Sequence, residues 1–405
     1  MKRYSEYKDS GVKWIGEIPG HWKICRTRYL CNINTGDKDT VMKEDNGKYP
    51  FYVRSPKIER INTFSYDGEA ILMAGDGVGA GKVFHYANGK FDYHQRVYNM
   101  HNICGVSGKF MFYFIRDQFH YAMEEKNAKS TVDSVRLPWL KAFPIAIPAQ
   151  EEQEAIVTYL DTKAAKIDEY ISIAEKKIAA LEELKQTIIA EAVTRGIHKD
   201  VPMKDSGVKW IGMIPEHWKV HKIRSHFKER RVKVSDKDFQ ALSVAKIGIV
   251  PQLEDACKTD NGDNRKQVLK GDFVVNSRSD RKGSCGISPL DGSVSLINIV
   301  LRPFNILQEY VHYLFRSHNY IEEFYRNGRG IVADLWTTRY SEMRNIQIPV
   351  PPLSEQQEIV TYIEAKVANI NQLCQAERSQ IEKLKEYKQR LISDVVTGKV
   401  KVTND

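Results

Sequence analysis

Along two stretches of the chain, apolar residues recur at alternating intervals of four and three. In the first, Val157, Leu160, Ala164, Ile167, Ile171, Ala174, Ile178, Leu181, Ile188 and Ala192 trace one helical face, broken only by Lys185. In the second, Val360, Ile363, Val367, Ile370, Cys374, Ile381, Leu384, Leu391 and Val395 repeat the spacing, with Glu377 and Lys388 as polar interruptions. Each pattern predicts a helix of about 40 residues, a rod of roughly 60 Å at 1.5 Å per residue. Each helix follows a proline-rich exit, FPIAIPAQEEQ or IQIPVPPLSEQQ, where proline before Glu and Gln marks a helix start. The seams are matched in length and pair most simply as an antiparallel coiled coil with pseudo-two-fold symmetry. Packing of each helix on its own domain, or homodimerisation through the seams, stays open.

The segments between the helices are patterned differently. YPFYVRS, AILMAG, FVVNS and SVSLINIVL are short β-branched and aromatic runs punctuated by Gly, Asn and Asp, which predict strands and turns. Helical segments are predicted at Lys109 to Glu125 and Leu307 to Arg326. The expected fold class is therefore α+β, with two globular domains each followed by a long α-helix.

The chain is also duplicated. KDSGVKWIG at Lys8 to Gly16 recurs letter for letter at Lys204 to Gly212, an offset of 196. Ile18, Pro19, His21, Trp22 and Lys23 are answered by Ile214, Pro215, His217, Trp218 and Lys219. IVTYL at Ile156 to Leu160 answers IVTYI at Ile359 to Ile363, now at an offset of 203. Constant blocks thus bracket two divergent segments, roughly Thr35 to Ala142 and His226 to Asn345.

With 42% hydrophobic and 28% charged residues, the 405-residue chain has the composition of a soluble folded protein. Its 61 Lys and Arg against 52 Asp and Glu leave +9, which favours a polyanionic partner, nucleic acid ahead of an anionic membrane. There is no run of 18 apolar residues and no apolar leader, so a cytoplasmic protein without membrane contact is expected. Cys25, Cys31, Cys104, Cys257, Cys285 and Cys374 lack the close spacing of zinc sites and are expected as free thiols, with no metal.

Catalytic patterns are missing from the sequence. The only Pro-Pro pair, Pro351 and Pro352, follows Val350 instead of the Asn or Asp of an amino-methyltransferase. Glu364 with Lys366, and Glu124 with Lys126, lack the upstream acid of a nuclease and read as helical surface charge. No catalytic residue is expected in this chain.

KDSGVKWIGEIPGHW, the IPxP exit, the EQxxIV helix start and their double occurrence resemble the specificity subunit of type I restriction-modification enzymes, over essentially the whole chain. The resemblance implies target-recognition domains at 1–149 and 194–352, and conserved helical spacers at 150–193 and 353–398. It implies double-stranded DNA as ligand, read as a split, asymmetric target, one half per domain. It also implies two methylation subunits and motor/nuclease subunits as partners for adenine methylation and ATP-dependent cleavage. S-adenosylmethionine, ATP and magnesium would belong to those partners; no cofactor is expected here. The alternatives are a specificity subunit of a related two-part defence system with a different effector, or a helical scaffold for partners other than DNA.

Direct contacts are sought first in SRSDRKGS, which follows the strand GDFVVN and presents Arg278, Arg281 and Lys282, the guanidinium fork suiting guanine and lysine suiting phosphate. A solvated turn whose charges balance Asp272 and Asp280 is the competing reading. AGDGVGAGK, ending at Lys82, has the wrong spacing for a Walker loop, and a plain hairpin turn is preferred to a ligand loop. Arg54 and Ser55, then His94, Gln95 and Arg96, interrupt aromatic strands, where structural roles compete with base reading. Arg326, Asn327 and Arg329 form a further basic turn. Arg136 and Arg339, matched at the 203 offset, read as a shared phosphate contact or, preferably, a shared internal salt bridge. Trp14, Trp22, Trp210 and Trp218 are assigned to core packing.

If the helices act as a ruler between two readers, a short helical block inserted near Ala174 lengthens the unread gap and leaves both half-targets unchanged. Sequencing of methylated genomic DNA checks this; altered half-targets would refute the spacer role.

Overall fold

A computed structural model describes residues 2–127, 134–253, 262–330 and 336–402. Cys257 and the side chain of Lys126 lie outside the described residues. Seven α-helices are described: α1 (Gly108–Asn127), α2 (Leu137–Ala142), α3 (Gln150–Arg195), α4 (Gln308–Arg316), α5 (His318–Arg326), α6 (Tyr340–Met343) and α7 (Leu353–Val396). The chain divides into two compact units, Met1–Ala174 with Ser379–Asp405, and Glu175–Arg378. The first and second units below are these.

The exact repeat is a demand of backbone geometry. In the first unit Tyr7–Asp9 pairs antiparallel with Glu17–Pro19. The Asp9 carboxylate accepts the Gly11 N–H at 2.9 Å, and the Ser10 N–H closes the turn on the Gly16 carbonyl at 3.0 Å. Gly11 and Gly16 stand at φ +69° and +72°, where a side chain is strained. Asp205, Gly207, Ser206 and Gly212 reproduce both bonds, with φ of +70° and +73°. Trp22 and Trp218 are fully buried behind these hairpins; Trp14 stacks on Phe143, and Trp210 meets Tyr320 edge-on. The four tryptophans are packing residues.

The divergent segments share one sheet topology. In the first unit the strand order is Asn32–Thr35, Val97–His101, Ala70–Ala74, Phe84–Ala87, all antiparallel. In the second it is Phe227–Glu229, Asn298–Pro303, Phe273–Asn276, Cys285–Ile287, again antiparallel. The inner strand of each is buried on both faces, with period-two alternation. Ile71 and Met73 pack with Phe110 and Phe114 of α1, whereas Leu72 packs with Tyr52, Phe91 and Tyr93. Phe273 and Val275 pack with Phe315 and Tyr320 of α4 and α5, whereas Val274 packs with Val268, Val294 and Val300.

One helix is predicted over Leu307 to Arg326, but the structure has two. Ser317 is extended (φ −66°, ψ 142°) and buried, and its hydroxyl and N–H both donate to the Leu314 carbonyl, at 2.7 and 3.2 Å. A serine that takes the last-turn carbonyl competes with helix continuation.

The long helices pair antiparallel within each unit. In the first, Lys388 reaches Asp168 at 2.6 Å. In the second, Lys177 reaches Glu377 at 2.5 Å and Lys185 donates to Asn371 at 3.3 Å, the numbers falling on α7 as they rise on α3. Ile167, Ala174, Ile381 and Leu391 are buried on the first unit's part of the seam, and Ile189, Ala192, Ile363, Ile370 and Cys374 on the second's. The two lysines that interrupt the heptads each carry their ammonium to a polar group on the opposite helix, their stems covering the seam.

At the head of each long helix, a buried glutamine ties three elements together. Gln153 accepts the Ser107 N–H at 2.7 Å and donates to the Pro148 carbonyl at 3.0 Å. Gln356 accepts the Leu307 N–H and donates to the Pro351 carbonyl, both at 2.8 Å. Gln356→Leu leaves both backbone groups without their partner, and a loss of about 1–3 kcal/mol is expected, read as a lower urea midpoint with an unchanged m-value. His312 on α4 gives the second unit an acid sensitivity. Burial foremost, then Arg316, lowers its pKa to about 4. An unfolded imidazole titrates near pH 6.5, so stability is full above about 6.5 and falls as pH drops towards 4. His312→Gln is expected to flatten urea-unfolding stability between pH 7 and pH 5.

Candidate nucleic-acid interface

The loop that leaves each doubly buried strand is held at a common point. In the first unit the Gly75 carbonyl accepts the Val135 N–H at 2.8 Å, and Asp76 bridges Ser134. In the second the Ser277 carbonyl accepts the Thr338 N–H at 3.0 Å, and Arg278 bridges Thr337. The residues that follow, Arg136 and Arg339, are the N-caps of α2 and α6. This accounts for their match at the 203 offset. The expected shared salt bridge is not found among the described residues: Arg136 lies 5.4 Å over the Trp139 ring, and the Arg339 N–H donates to Glu342 at 3.1 Å. Capping position, which is set by backbone shape, replaces it.

The second unit gathers the two basic turns that lie far apart in sequence. Arg278, Arg281 and Lys282 stand on the turn after Phe273–Asn276, with Ser279–Arg281 as a single 3-10 turn. Arg329 joins them through its ladder with Thr337, at 3.1 and 3.0 Å, because Thr337 also bridges Arg278. Tyr325 fastens the turn from below, its hydroxyl donating to the Asn276 and Arg281 carbonyls at 3.1 and 3.3 Å. Ser279, Lys282, Glu322, Tyr325, Arg326 and the exposed Trp336 line a cavity of about 560 Å³. Each cation here has a carboxylate beside it, one of them shared: Arg278 and Arg281 meet the single Asp280 at 3.0 and 3.7 Å, Lys282 meets Glu322 at 3.1 Å, Arg326 meets Glu323 at 3.1 Å and Arg329 meets Glu342 at 3.6 Å. Asp272, considered as a further balancing charge, is buried and takes Arg230 in two bonds of 2.6 and 3.1 Å instead. Asn327 donates to the Glu323 carbonyl at 2.8 Å and so serves the end of α5.

In the first unit, AGDGVGAGK is the hairpin connection between Ala70–Ala74 and Phe84–Ala87, as preferred from its spacing. Asp76 in this loop collects two arginines from elsewhere, Arg54 at 3.0 Å and Arg96 at 2.8 Å. Val78 at the tip of the loop is 90% exposed. Lys82 at the far end is exposed and lines a separate cavity with Arg116 and Lys388. Ser55 donates to the Lys57 carbonyl at 3.1 Å, and exposed Gln95 donates to Asp39 at 3.1 Å. His94 is buried, and its Nδ1 accepts the Arg96 N–H at 2.9 Å. Burial foremost, then Arg54, holds the His94 pKa below the ordinary imidazole value, so it is a neutral brace for the arginine strand.

Asp280, expected from the sequence as a balancing charge, meets Arg278 and Arg281 here; Asp76, Tyr325 and Trp336 also belong to this surface and were not singled out from sequence. A lone Asp in a Gly-rich turn carries no local sign of the arginines it will meet. Only Trp336, an aromatic beside a basic turn, offered a signal.

A family model described as the type I restriction modification DNA specificity domain matches the chain twice, over residues 19–183 and 217–383. The chain belongs to the type I restriction-modification DNA specificity family. The chain is a specificity subunit, and each matched stretch runs from the constant hairpin region through one recognition segment into a long helix. The EcoDI specificity subunit of Escherichia coli is 22% identical over 413 residues, covering 95% of this chain and 90% of that one. The MjaVIII specificity subunit of Methanocaldococcus jannaschii is 24% identical, covering 98% of each. In fold, the chain is similar to one solved to study complex assembly and conformational transition of the type I R-M system, with a TM-score of 0.66 and 15% identity over 94% of this chain and 98% of that one. The HsdS subunit from Thermoanaerobacter tengcongensis gives a TM-score of 0.52 at 15% identity, over 95% and 98%. Five of the cysteines are free thiols, and no helix among the described residues is long and apolar enough to cross a membrane.

Proposed function

We propose that this specificity subunit reads an asymmetric, split DNA target, each unit contributing one half. In the first unit the readers are Arg54, Arg96 and the 75–81 loop; in the second they are Arg278 and Arg281, with Lys282, Arg326 and Arg329 facing phosphate. Ser55, Lys82, Gln95 and Asn327 are placed in supporting or phosphate-facing roles, and His94 in bracing the first set. The observation that carries this reading is the like-for-like loop position. A common frame presents a carboxylate at Asp76 in one unit and a guanidinium at Arg278 in the other. The same scaffold carrying different side chains at its tip presents a different surface in each unit, so the two half-targets differ as whole sequences.

The chain directs partner subunits in this reading: methylation subunits that modify adenine with S-adenosylmethionine, and motor/nuclease subunits that use ATP and magnesium to cleave. The residues that this chain supplies position DNA and leave base flipping and bond making to those partners.

Affinity for duplex DNA, measured with the methylation subunit present, is expected to fall steeply with salt, since each phosphate neutralised contributes a slope of about 0.9 in log–log form. Lys282→Ala with Arg329→Ala is expected to reduce that slope by about 1.8 and weaken all sequences alike. Absence of duplex binding at low salt would refute the reading.

A further inference from the structure

In both units a single aspartate stands between two arginines at the loop that leaves the doubly buried strand. Asp76 gives one oxygen to Arg54 Nη1 at 3.0 Å and the other to Arg96 Nη1 at 2.8 Å. Asp280 gives one oxygen to Arg278 Nε at 3.0 Å and the other to Arg281 Nε at 3.7 Å. The arginines come from different places: two separate strand ends in the first unit, one short turn in the second. The arrangement has therefore been built twice from unrelated sequence. Exposed ion pairs contribute little to stability, so stability does not explain its recurrence.

We propose that Asp76 and Asp280 are positioning residues for guanine recognition, and that each half-target is read by an aspartate-held pair of arginine forks. This deepens the split-target reading and rests on it. The carboxylate uses one nitrogen of each guanidinium. Nε and Nη2 of the first unit's arginines remain outside those contacts, as do both Nη groups of the second's. Two coplanar donors are what the O6 and N7 acceptors of guanine require. Holding the long side chains beforehand lowers the entropy lost on binding. The aspartate side chains are 20% and 38% exposed, against 44% and 61% for Arg54 and Arg96 and 45% and 66% for Arg278 and Arg281. In the first unit the carboxylate is the more covered partner and the forks face solvent; in the second all three side chains are exposed, the arginines more so. Two guanidiniums to one carboxylate leave each set at +1, attractive to DNA without a free pair of repelling cations.

The test uses the full chain with its methylation subunits and sequences methylated genomic DNA for wild type, Asp76→Asn, Asp280→Asn and the charge-conserving Arg96→Lys. In the wild type, each half-target should contain a G·C pair. Asp76→Asn should raise methylation at sites substituted at that pair by about tenfold, in the first half-target only. Asp280→Asn should do the same in the second, and Arg96→Lys should relax the same position as Asp76→Asn. Thermal midpoints should not move. Unchanged motifs in both aspartate variants, or relaxation spread over a whole half-target with a lowered midpoint, would overturn the positioning role. A wild type that methylates no bipartite motif would instead overturn the split-target reading beneath it.

Discussion

Glu152 and Gln153, and their counterparts Glu355 and Gln356, sit at the first turn of the two long helices with their side chains turned into the protein instead of into water. The glutamate of each pair takes the constant hairpin: Glu152 meets His21 at 2.8 Å and the Trp22 indole N–H at 3.1 Å, and Glu355 meets His217 at 2.7 Å. The glutamine takes the residue just ahead of α1 or α4 and the proline that leads into the long helix. Removing either glutamine would orphan backbone groups in the interior, where an unmade hydrogen bond costs more than a made one contributes. The hairpin, α1 or α4, the proline exit and the long helix all converge on this dipeptide in each unit, and that is why it occurs twice.

Behind that junction the inner strand of the recognition sheet is committed on both faces. Ile71 and Met73, or Phe273 and Val275, are taken by helices, and the alternate residues by a second layer of strands. Such a strand tolerates little change, and the loop at its end is tied in both units by the same backbone bond to the residue before an N-cap. Rigid approach and open tip let loop chemistry diverge without disturbing the frame. Asp76 and Arg278 occupy corresponding places and carry opposite charge for that reason.

Much of the frame was legible from residues alone. The heptads gave both long helices, and the lysines that break them proved to be cross-helix contacts, Lys388 with Asp168 and Lys185 with Asn371. The SGVKWIG repeat encodes paired glycines at positive φ, and the tryptophans of the constant blocks were assigned to the core where the structure has them. The break at Ser317 was missed because the apolar spacing runs through it, and only the hydroxyl's capture of the Leu314 carbonyl ends the helix. His94, grouped with Gln95 and Arg96 by adjacency, is buried while its neighbours are exposed, a separation made by the turn between Lys90–Tyr93 and Val97–His101 and not labelled in the sequence.

What the sequence determined by itself is therefore the set of features whose cause is local: periodicity over a few turns of helix, glycine where the backbone bends the wrong way for a side chain, proline ahead of a helix start. Only the tertiary structure decided which charges meet. Arg54, Asp76 and Arg96 are brought together by sheet register, and Arg278 and Arg329 by a shared bridge to Thr337. Those contacts depend on where distant strands end in space, a quantity that no short stretch of the chain contains.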